Sequence, residues 1–300
     1  MNYERMIKTE NTDSRYEAWG DYRGQLTGYI KSCLEENCSK NSWVAIWGAG
    51  GCNDIEISEL ANEYKLLLID QDTEKLYQVR DRLGLSSEGC KVADVGFWSI
   101  FDYDYEMFEA LLLDGASYEE LEGFFAELIK NMPKAFDLEK YSVDCSVVVG
   151  LASQLNARFV ALLNMYKEKL SHIDVDKLLL IISHMNQLAT ERLYISLRQI
   201  TKKLVITGYE TKGCYTQEEA DLEKEKISGL FEAGLDGGSY LSGAEKDYIT
   251  VAGNEFWHRL MYKTIIMDKL EDLGRCKILC WPFSEEKIYP MLMVSLLVNG

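Results

Sequence analysis

Proline is scarce in this chain, with three in 300 residues. A proline inside a helix removes a hydrogen bond and bends it, so long helices are free of that interruption. Basic residues are outnumbered, 32 against 49 acidic ones, and the formal net charge is −17. Such a surface repels phosphate backbones and anionic lipid, which argues against nucleic acid and membrane partners. No window approaches the roughly 20 consecutive apolar residues of a spanning helix. Residues 1–13 are polar and lack the apolar run of a signal peptide, so a cytoplasmic protein is expected. The eight cysteines form no C-x-x-C pair. Buried free thiols are expected rather than a zinc site, and no metal is expected at all.

What the chain has in quantity is aromatic and apolar surface, including 18 Tyr, 10 Phe and 6 Trp. That is enough for one large domain or two small ones. Its most informative stretch is 42–72. Trp43–Trp47 is a continuous apolar run, as expected of a central strand covered on both faces. Gly48-Ala49-Gly50-Gly51 follows as a turn, in which Gly48 and Gly50 take positive φ and let a ligand approach the backbone. Asn53 or Asp54 is placed to cap a helix over 55–64, whose free N–H groups face the pocket. A second strand, 65–69, leads into Asp70-Gln71-Asp72. An acid roughly 20 residues beyond a glycine turn is where a carboxylate meets ribose hydroxyls. Asp72 or Thr73 also suits the cap of a helix over 74–83.

Before this stretch, Asp13 or Ser14 can cap an amphipathic helix through Tyr16, Trp19, Tyr22, Leu26, Tyr29, Ile30 and Leu34. It either packs on the sheet or closes over the pocket; packing is the favoured reading. Residues 35–41 read as a linker. After it, 90–95 is a third strand ending in Asp94, placed to accept from the amine of adenine. Residues 97–140 read as an inserted helical layer, core or lid, with Ser117 and Glu120 forming a capping box. A β-branched fourth strand, 141–149, ends at Gly150. Helices are expected over 151–170, 176–200 and 216–230, the last opened by Thr216 with Glu219, and a fifth strand over 203–207. Gly234–Gly243 is a glycine-rich loop, and 255–273 is a helix with Gly274 just beyond it. Strands 276–281 and 288–298 lie too close for a parallel crossover, so the sheet should end in an antiparallel hairpin.

These elements predict an α/β fold: a seven-stranded, Rossmann-like, doubly wound sheet with a C-terminal antiparallel hairpin, an N-terminal helix and helical insertions. The expected division is an N-terminal helical cap, 1–41, and a cofactor-binding domain, 42–300, with the insertion at 97–140. Two cofactors fit the first half, a nicotinamide dinucleotide and S-adenosylmethionine. Asn53 stands where a dinucleotide turn takes a small residue. The closing hairpin and the acids after strands two and three favour S-adenosylmethionine.

The segment Trp47-Gly48-Ala49-Gly50-Gly51-Cys52-Asn53-Asp54-Ile55-Glu56 resembles the nucleotide-binding turn of class I S-adenosylmethionine-dependent methyltransferases. More narrowly, it resembles a bacterial branch whose turn reads Gly-Ala-Gly-x-Cys-Asn-Asp. The resemblance implies that Gly48, Gly50, Cys52, Asn53 and Asp54 cradle the methionine and ribose, and that Asp70 with Gln71 holds the ribose. It implies that Asp94 with Val95 holds adenine, and that Gly150 to Gln154 lines the methyl side. Cys52 replaces the third glycine of the turn, and Thr201-Lys202-Lys203 stands in place of a Pro-Gly-Gly. No Asn-Pro-Pro-Tyr segment follows the fourth strand, which counts against methylation of base or Gln amino groups.

The expected activity is methyl transfer to a small molecule. The alternatives are an NAD(P)-dependent oxidoreductase and a non-catalytic S-adenosylmethionine-binding regulator. Candidate bases are His184, Asp144 and Glu210, and candidate substrate contacts are Tyr16, Trp19 and Gln154. A lone helical histidine such as His184 is more often a satisfied core group than a base.

Overall fold

The computed structural model describes residues 15–70, 72–94, 101–132, 136–211, 213–232 and 273–298. Several expectations lie outside these residues: the arm 1–13 with the cap at Asp13 or Ser14, Gln71, Val95, the aromatic start of the insertion at Phe97 and Trp98, the glycine-rich loop 234–243 and, up to residue 272, the helix over 255–273.

Seven strands form one sheet: β1 Trp43–Trp47, β2 Lys65–Asp70, β3 Cys90–Asp94, β4 Val143–Val149, β5 Thr201–Glu210, β6 Leu273–Ser284 and β7 Lys287–Leu297. Their order is β3-β2-β1-β4-β5-β7-β6. β1 to β5 are parallel, while β7 runs antiparallel to both β5 and β6. This is the doubly wound, Rossmann-like sheet with a terminal antiparallel hairpin. The chain leaves β1 toward β2 on one side and β4 continues on the other, so the crevice at the switch of direction opens beside the carboxyl end of β1.

Side chains alternate across a strand, and the apolar residues of the sheet divide accordingly. Val44, Ile46, Leu66, Leu68, Cys145, Val147, Leu204 and Ile206 pack with α1 Gly20–Asn37, α2 Ile57–Ala61 and α3 Thr73–Arg82. Ala45, Trp47, Leu67, Ile69, Val148 and Val205 face the opposite layer, which is made by α4 Phe101–Asp114, α5 Tyr118–Asn131, α6 Leu151–Gln154, α7 Ala157–Met165 and α8 Val175–Ile200. There Tyr105, Phe108, Phe125 and Phe159 form a contiguous aromatic core, with Tyr105 and Phe159 centroids 4.5 Å apart. The described aromatics of the insertion are therefore core on the sheet face. α9 Gln217–Glu232 precedes the hairpin.

Several local expectations hold. Ser117 and Glu120 form the reciprocal capping box of α5. The Asp72 side chain caps α3, accepting from Lys75 N at 3.0 Å. Thr216 accepts from Glu219 N at 3.1 Å, and Glu219 in turn accepts from Tyr215 N at 2.8 Å. Others are corrected. The helix expected over 151–170 is three pieces: α6, α7 and a 3-10 turn at Lys167–Leu170, broken where Asn156 leaves helical geometry at φ −129°. Residues 35–37 are helix rather than linker, because α1 runs to Asn37. β6 begins at Leu273, so Leu273 and Gly274 are strand rather than the end of a helix. β5 runs from Thr201 to Glu210, three residues longer than expected at its carboxyl end. No helix among the described residues is long and apolar enough to cross a membrane.

Candidate active site

The glycine turn leaves the carboxyl end of β1 and folds back against β2. Gly48 N and Ala49 N both donate to Ile69 O, at 2.9 and 3.1 Å. Gly48 has φ +68° and Gly50 φ +47°, the left-handed region that a Cβ disfavours. At Gly48 a Cβ would also lie 2.9 Å from Leu151 Cδ1. Cys52 sits at φ +53° with its side chain buried. A non-glycine residue in that region is uncommon and strained. Burial is the main reason its thiol is held well above the ordinary cysteine range, so it is an inert group.

Asp70 ends β2 and faces the turn. Its Oδ2 accepts from Gly50 N at 2.9 Å and its Oδ1 from Asp72 N at 3.0 Å. An ionised carboxylate has about four acceptor positions. Each oxygen of Asp70 therefore keeps capacity for a hydroxyl, as a ribose diol requires. Asp94 lies beside Asp70 in register at the end of β3 and is exposed. The ε-carbon of Lys75 would be 2.9 Å from a Cβ at Gly51, so this lysine lies across the turn.

The helix after the turn departs from expectation. α2 begins at Ile57, and its N-cap Glu56 makes no side-chain cap. Glu56 N donates instead to Thr27 Oγ1 at 2.9 Å, and Glu56 Oε1 accepts from Arg23 Nε at 2.5 Å. Neither Asn53 nor Asp54 is the cap. Asn53 is buried with its carbonyl accepting from Arg23 Nη1 at 3.2 Å. Asp54, half-buried, lines a shallow cleft with Ile46, Trp47, Gly48, Ala49, Ile55, Val147 and Val149. Burial raises the Asp54 carboxyl to about 6, against a backbone hydrogen bond and the Arg23 charge, which act to lower it.

Arg23 was not foreseen as part of this region. It is buried on α1, lies over the Tyr16 ring at 3.7 Å and donates to Tyr16 O at 2.6 Å as well as to Glu56 and Asn53 O. The signal in the sequence is a lone cation on a face otherwise made of Trp19, Tyr22, Leu26, Thr27 and Ile30. It fastens α1 to the glycine turn.

Next to the cleft, β4 ends at Gly150, with φ +65°. A Cβ there would stand 3.4 Å from Glu210 Oε1 and 3.7 Å from Trp281 Cζ3. Glu210 ends β5 and is 4% exposed. Trp281, on β6, stacks on Tyr22 with centroids 5.9 Å apart and meets Trp19 edge-on at 5.4 Å. The Tyr22 hydroxyl is pushed well above the usual tyrosine range by burial and then by the charges of Asp54 and Glu210. Trp19 is buried and its Nε1 donates to Pro282 O at 2.9 Å.

The remaining candidates lie apart. Asp144 is near the amino end of β4, where Oδ2 accepts from Trp43 N at 3.2 Å and Oδ1 pairs with Lys203 Nζ at 3.1 Å. That is the opposite end of the sheet from the glycine turn, so Asp144 takes no part in the cleft. His184 is exposed on α8 between buried Ile182 and Met185, neither a core group nor a cleft residue. Gln154 is exposed at the end of α6, and Tyr16 is 41% exposed. Of the three candidate bases, Glu210 alone stands at the carboxyl end of the sheet.

No family model and no curated protein matches this chain. Among solved structures it is similar to the N-methyltransferase NodS from Bradyrhizobium japonicum WM9, at 10% identity over 96% of this chain and 99% of that one, with a TM-score of 0.40. Magnesium protoporphyrin IX methyltransferase (ChlM) from Synechocystis PCC 6803, with bound SAH, is 10% identical over 99% and 100%, with a TM-score of 0.42. A SAM-dependent methyltransferase from Aquifex aeolicus is 12% identical over 99% of each chain, with a TM-score of 0.38. Likenesses this distant carry no weight for function.

Proposed function

We propose that the chain binds S-adenosylmethionine in the cleft beside the glycine turn and transfers its methyl group to a small molecule. The observation that carries this reading is the pairing of the positive-φ turn with Asp70. The turn exposes backbone at Gly48 and Gly50, and Asp70 both braces it and retains acceptor capacity toward a diol. Asp54 adds a desolvated carboxyl in the cleft, suited to a cationic group such as the ammonium of a methionine moiety. Asp94 stands beside Asp70 in register, one strand further out, and is the proposed partner of adenine. Gly48, Gly50, Cys52, Asn53, Asp54, Asp70, Asp94 and Gly150 are the proposed cofactor residues; Gln71 and Val95 join them from the sequence alone.

When bound, the cofactor supplies an activated methyl group on a sulfonium. What the chain then has to provide is alignment of an acceptor and exclusion of water. At the end of β4, a Cβ on Gly150 would stand 3.7 Å from Trp281 Cζ3, and Trp281 packs in turn on Tyr22 and Trp19.

Thermal-shift titration with S-adenosylmethionine, S-adenosylhomocysteine and NAD tests the reading, since a ligand specific to the native state raises the midpoint. A shift with the adenosyl compounds and none with NAD is expected. A shift with NAD alone would replace this reading by the oxidoreductase one. Binding without methyl transfer across an acceptor panel would favour the regulatory one.

A further inference from the structure

Arg23 does more than fasten α1. Its side chain is buried, and its donors reach three acceptors: Nε bonds Glu56 Oε1 at 2.5 Å, while Nη1 bonds Tyr16 O at 2.6 Å and Asn53 O at 3.2 Å. The Asn53 carbonyl belongs to the peptide that enters Asp54, and a peptide unit is planar. Holding that oxygen fixes the plane from which Asp54 departs. Further along, Glu56 is tied to α1 twice, its carboxylate by Arg23 and its N–H by Thr27 Oγ1 at 2.9 Å. Asp54 and Ile55 therefore form a two-residue bridge with both ends anchored on α1, and Ile55 is itself buried.

The charge of Arg23 reaches the same carboxyl. Burial, the larger influence, raises the Asp54 carboxyl, and Arg23 acts against it. Other elements bring their own groups toward Asp54. α1 adds the Tyr22 phenol and the turn adds the Cys52 thiol, both of which burial keeps protonated. Lys75 of α3 lies across Gly51, and Glu210 at the end of β5 acts on Tyr22. β1 and β4 line the cleft with Ile46, Trp47, Val147 and Val149, which do not titrate. Arg23 is itself paired with Glu56.

Resting on the S-adenosyl reading of the cleft, we infer that Arg23 is a positioning residue for cofactor binding: from α1 it sets the direction of Asp54 and keeps that carboxylate charged for the ammonium of the methionine moiety. The two effects are separable. A lysine carries the charge but radiates its donors from one point, so it cannot span Glu56, Asn53 O and Tyr16 O as the planar fork does. The charge opposes protonation of Asp54. If Asp54 must be ionised to hold the cofactor, affinity falls as pH drops through about 6. Removing the Arg23 charge favours the proton, so the fall moves to higher pH. Removing the Glu56 charge leaves Arg23 less neutralised, so the fall moves to lower pH. A role in packing alone would not produce shifts of opposite sign.

The test is calorimetric titration of the full chain with S-adenosylhomocysteine between pH 5 and 7, where the ligand's amino group keeps its proton. Wild type is expected to lose affinity toward pH 5 with a midpoint near 6. Arg23→Met is expected to weaken binding about tenfold at pH 7 and to raise the midpoint by about half a unit. Arg23→Lys is expected to weaken binding about threefold with the midpoint unmoved. Glu56→Gln, which keeps an oxygen for Arg23 Nε, is expected to lower the midpoint. Should Arg23→Met fail to fold, Glu56→Gln decides: a lower midpoint supports the inference, and an unmoved or higher one overturns it. If wild type does not bind S-adenosylhomocysteine, the reading of the preceding section fails and this one with it. If it binds with level affinity from pH 5 to 7, or if Arg23→Met and Glu56→Gln move the midpoint the same way or not at all, the Arg23 inference alone is overturned.

Discussion

At the amino end of the sheet, Asp144 is answered by its own chain, with Lys203 Nζ at 3.1 Å and Trp43 N at 3.2 Å. At the carboxyl end, Asp54 lines the cleft beside the glycine turn, and burial raises its carboxyl to about 6. The acids are chemically alike, and their surroundings are opposite. The amino-end pair is half in solvent and holds strand ends together. Asp54 at the carboxyl end sits where charge is costly. A functional carboxylate in this fold is thus distinguished by the end of the strand it occupies, more than by its neighbours in sequence.

The largest expected effect breaks this contrast at Asp54. Its folded pKa, raised from 3.8 to about 6, makes ionisation unfavourable in the native state. The fold therefore loses stability as pH rises through about 6 and has the full benefit of the protonated form below about 4. At about 1.4 kcal/mol per unit, the penalty approaches roughly 3 kcal/mol by pH 7. Asp54→Asn should match wild type at pH 4 and exceed it at pH 7 in urea denaturation. A variant equally or less stable at pH 7 would remove Asp54 from the desolvated set.

Next is Gly48→Ala. It forces a Cβ into φ +68° and to within 2.9 Å of Leu151 Cδ1. A loss of about 2 kcal/mol is expected from backbone strain and crowding, read as a lower denaturation midpoint with an unchanged slope. Asp70→Ala follows. Removing the acceptor that braces Gly50 and faces the cleft should weaken S-adenosylhomocysteine about tenfold, or about 1.4 kcal/mol; unchanged affinity in calorimetry would take Asp70 out of the site. The smallest effect belongs to the amino end. Lys203→Met removes one member of a surface pair in which the lysine is 46% exposed, so less than about 1 kcal/mol is expected, with cofactor affinity untouched. A change in affinity there would erase the distinction between the two ends.

The sequence makes the sheet largely legible because its signals are local. Continuous apolar runs mark β1 and β2, the β-branched run marks β4, and the short spacing between the last two strands allows only an antiparallel pair. Asp72, Ser117 and Thr216 announce their helices by hydrogen bonds that span three residues. Where the reading fails, something distant intervenes. Asn53 and Asp54 look like caps, yet Thr27 and Arg23 on α1 engage Glu56 and set the start of α2 at Ile57. The apolar periodicity over 151–170 runs on unbroken, while the backbone breaks at Asn156, next to the buried Asn186 with which its side chain pairs. The cluster at the carboxyl ends of β5 and β6 is the least legible part. Tyr22, Glu210 and Trp281 come from α1, β5 and β6, and only the strand order brings them together.

The bond from Trp19 Nε1 to Pro282 O joins residues 263 positions apart. It ties the residue just before α1 to the closing hairpin, beside the edge-on contact of Trp19 with Trp281. Contacts of such long separation form late, because the chain between them must first be ordered. On the ribosome, the glycine turn and Asp70 are made well before Trp281. A chain that stops short of the hairpin would therefore hold the glycine turn without the tie from Trp19 to Pro282.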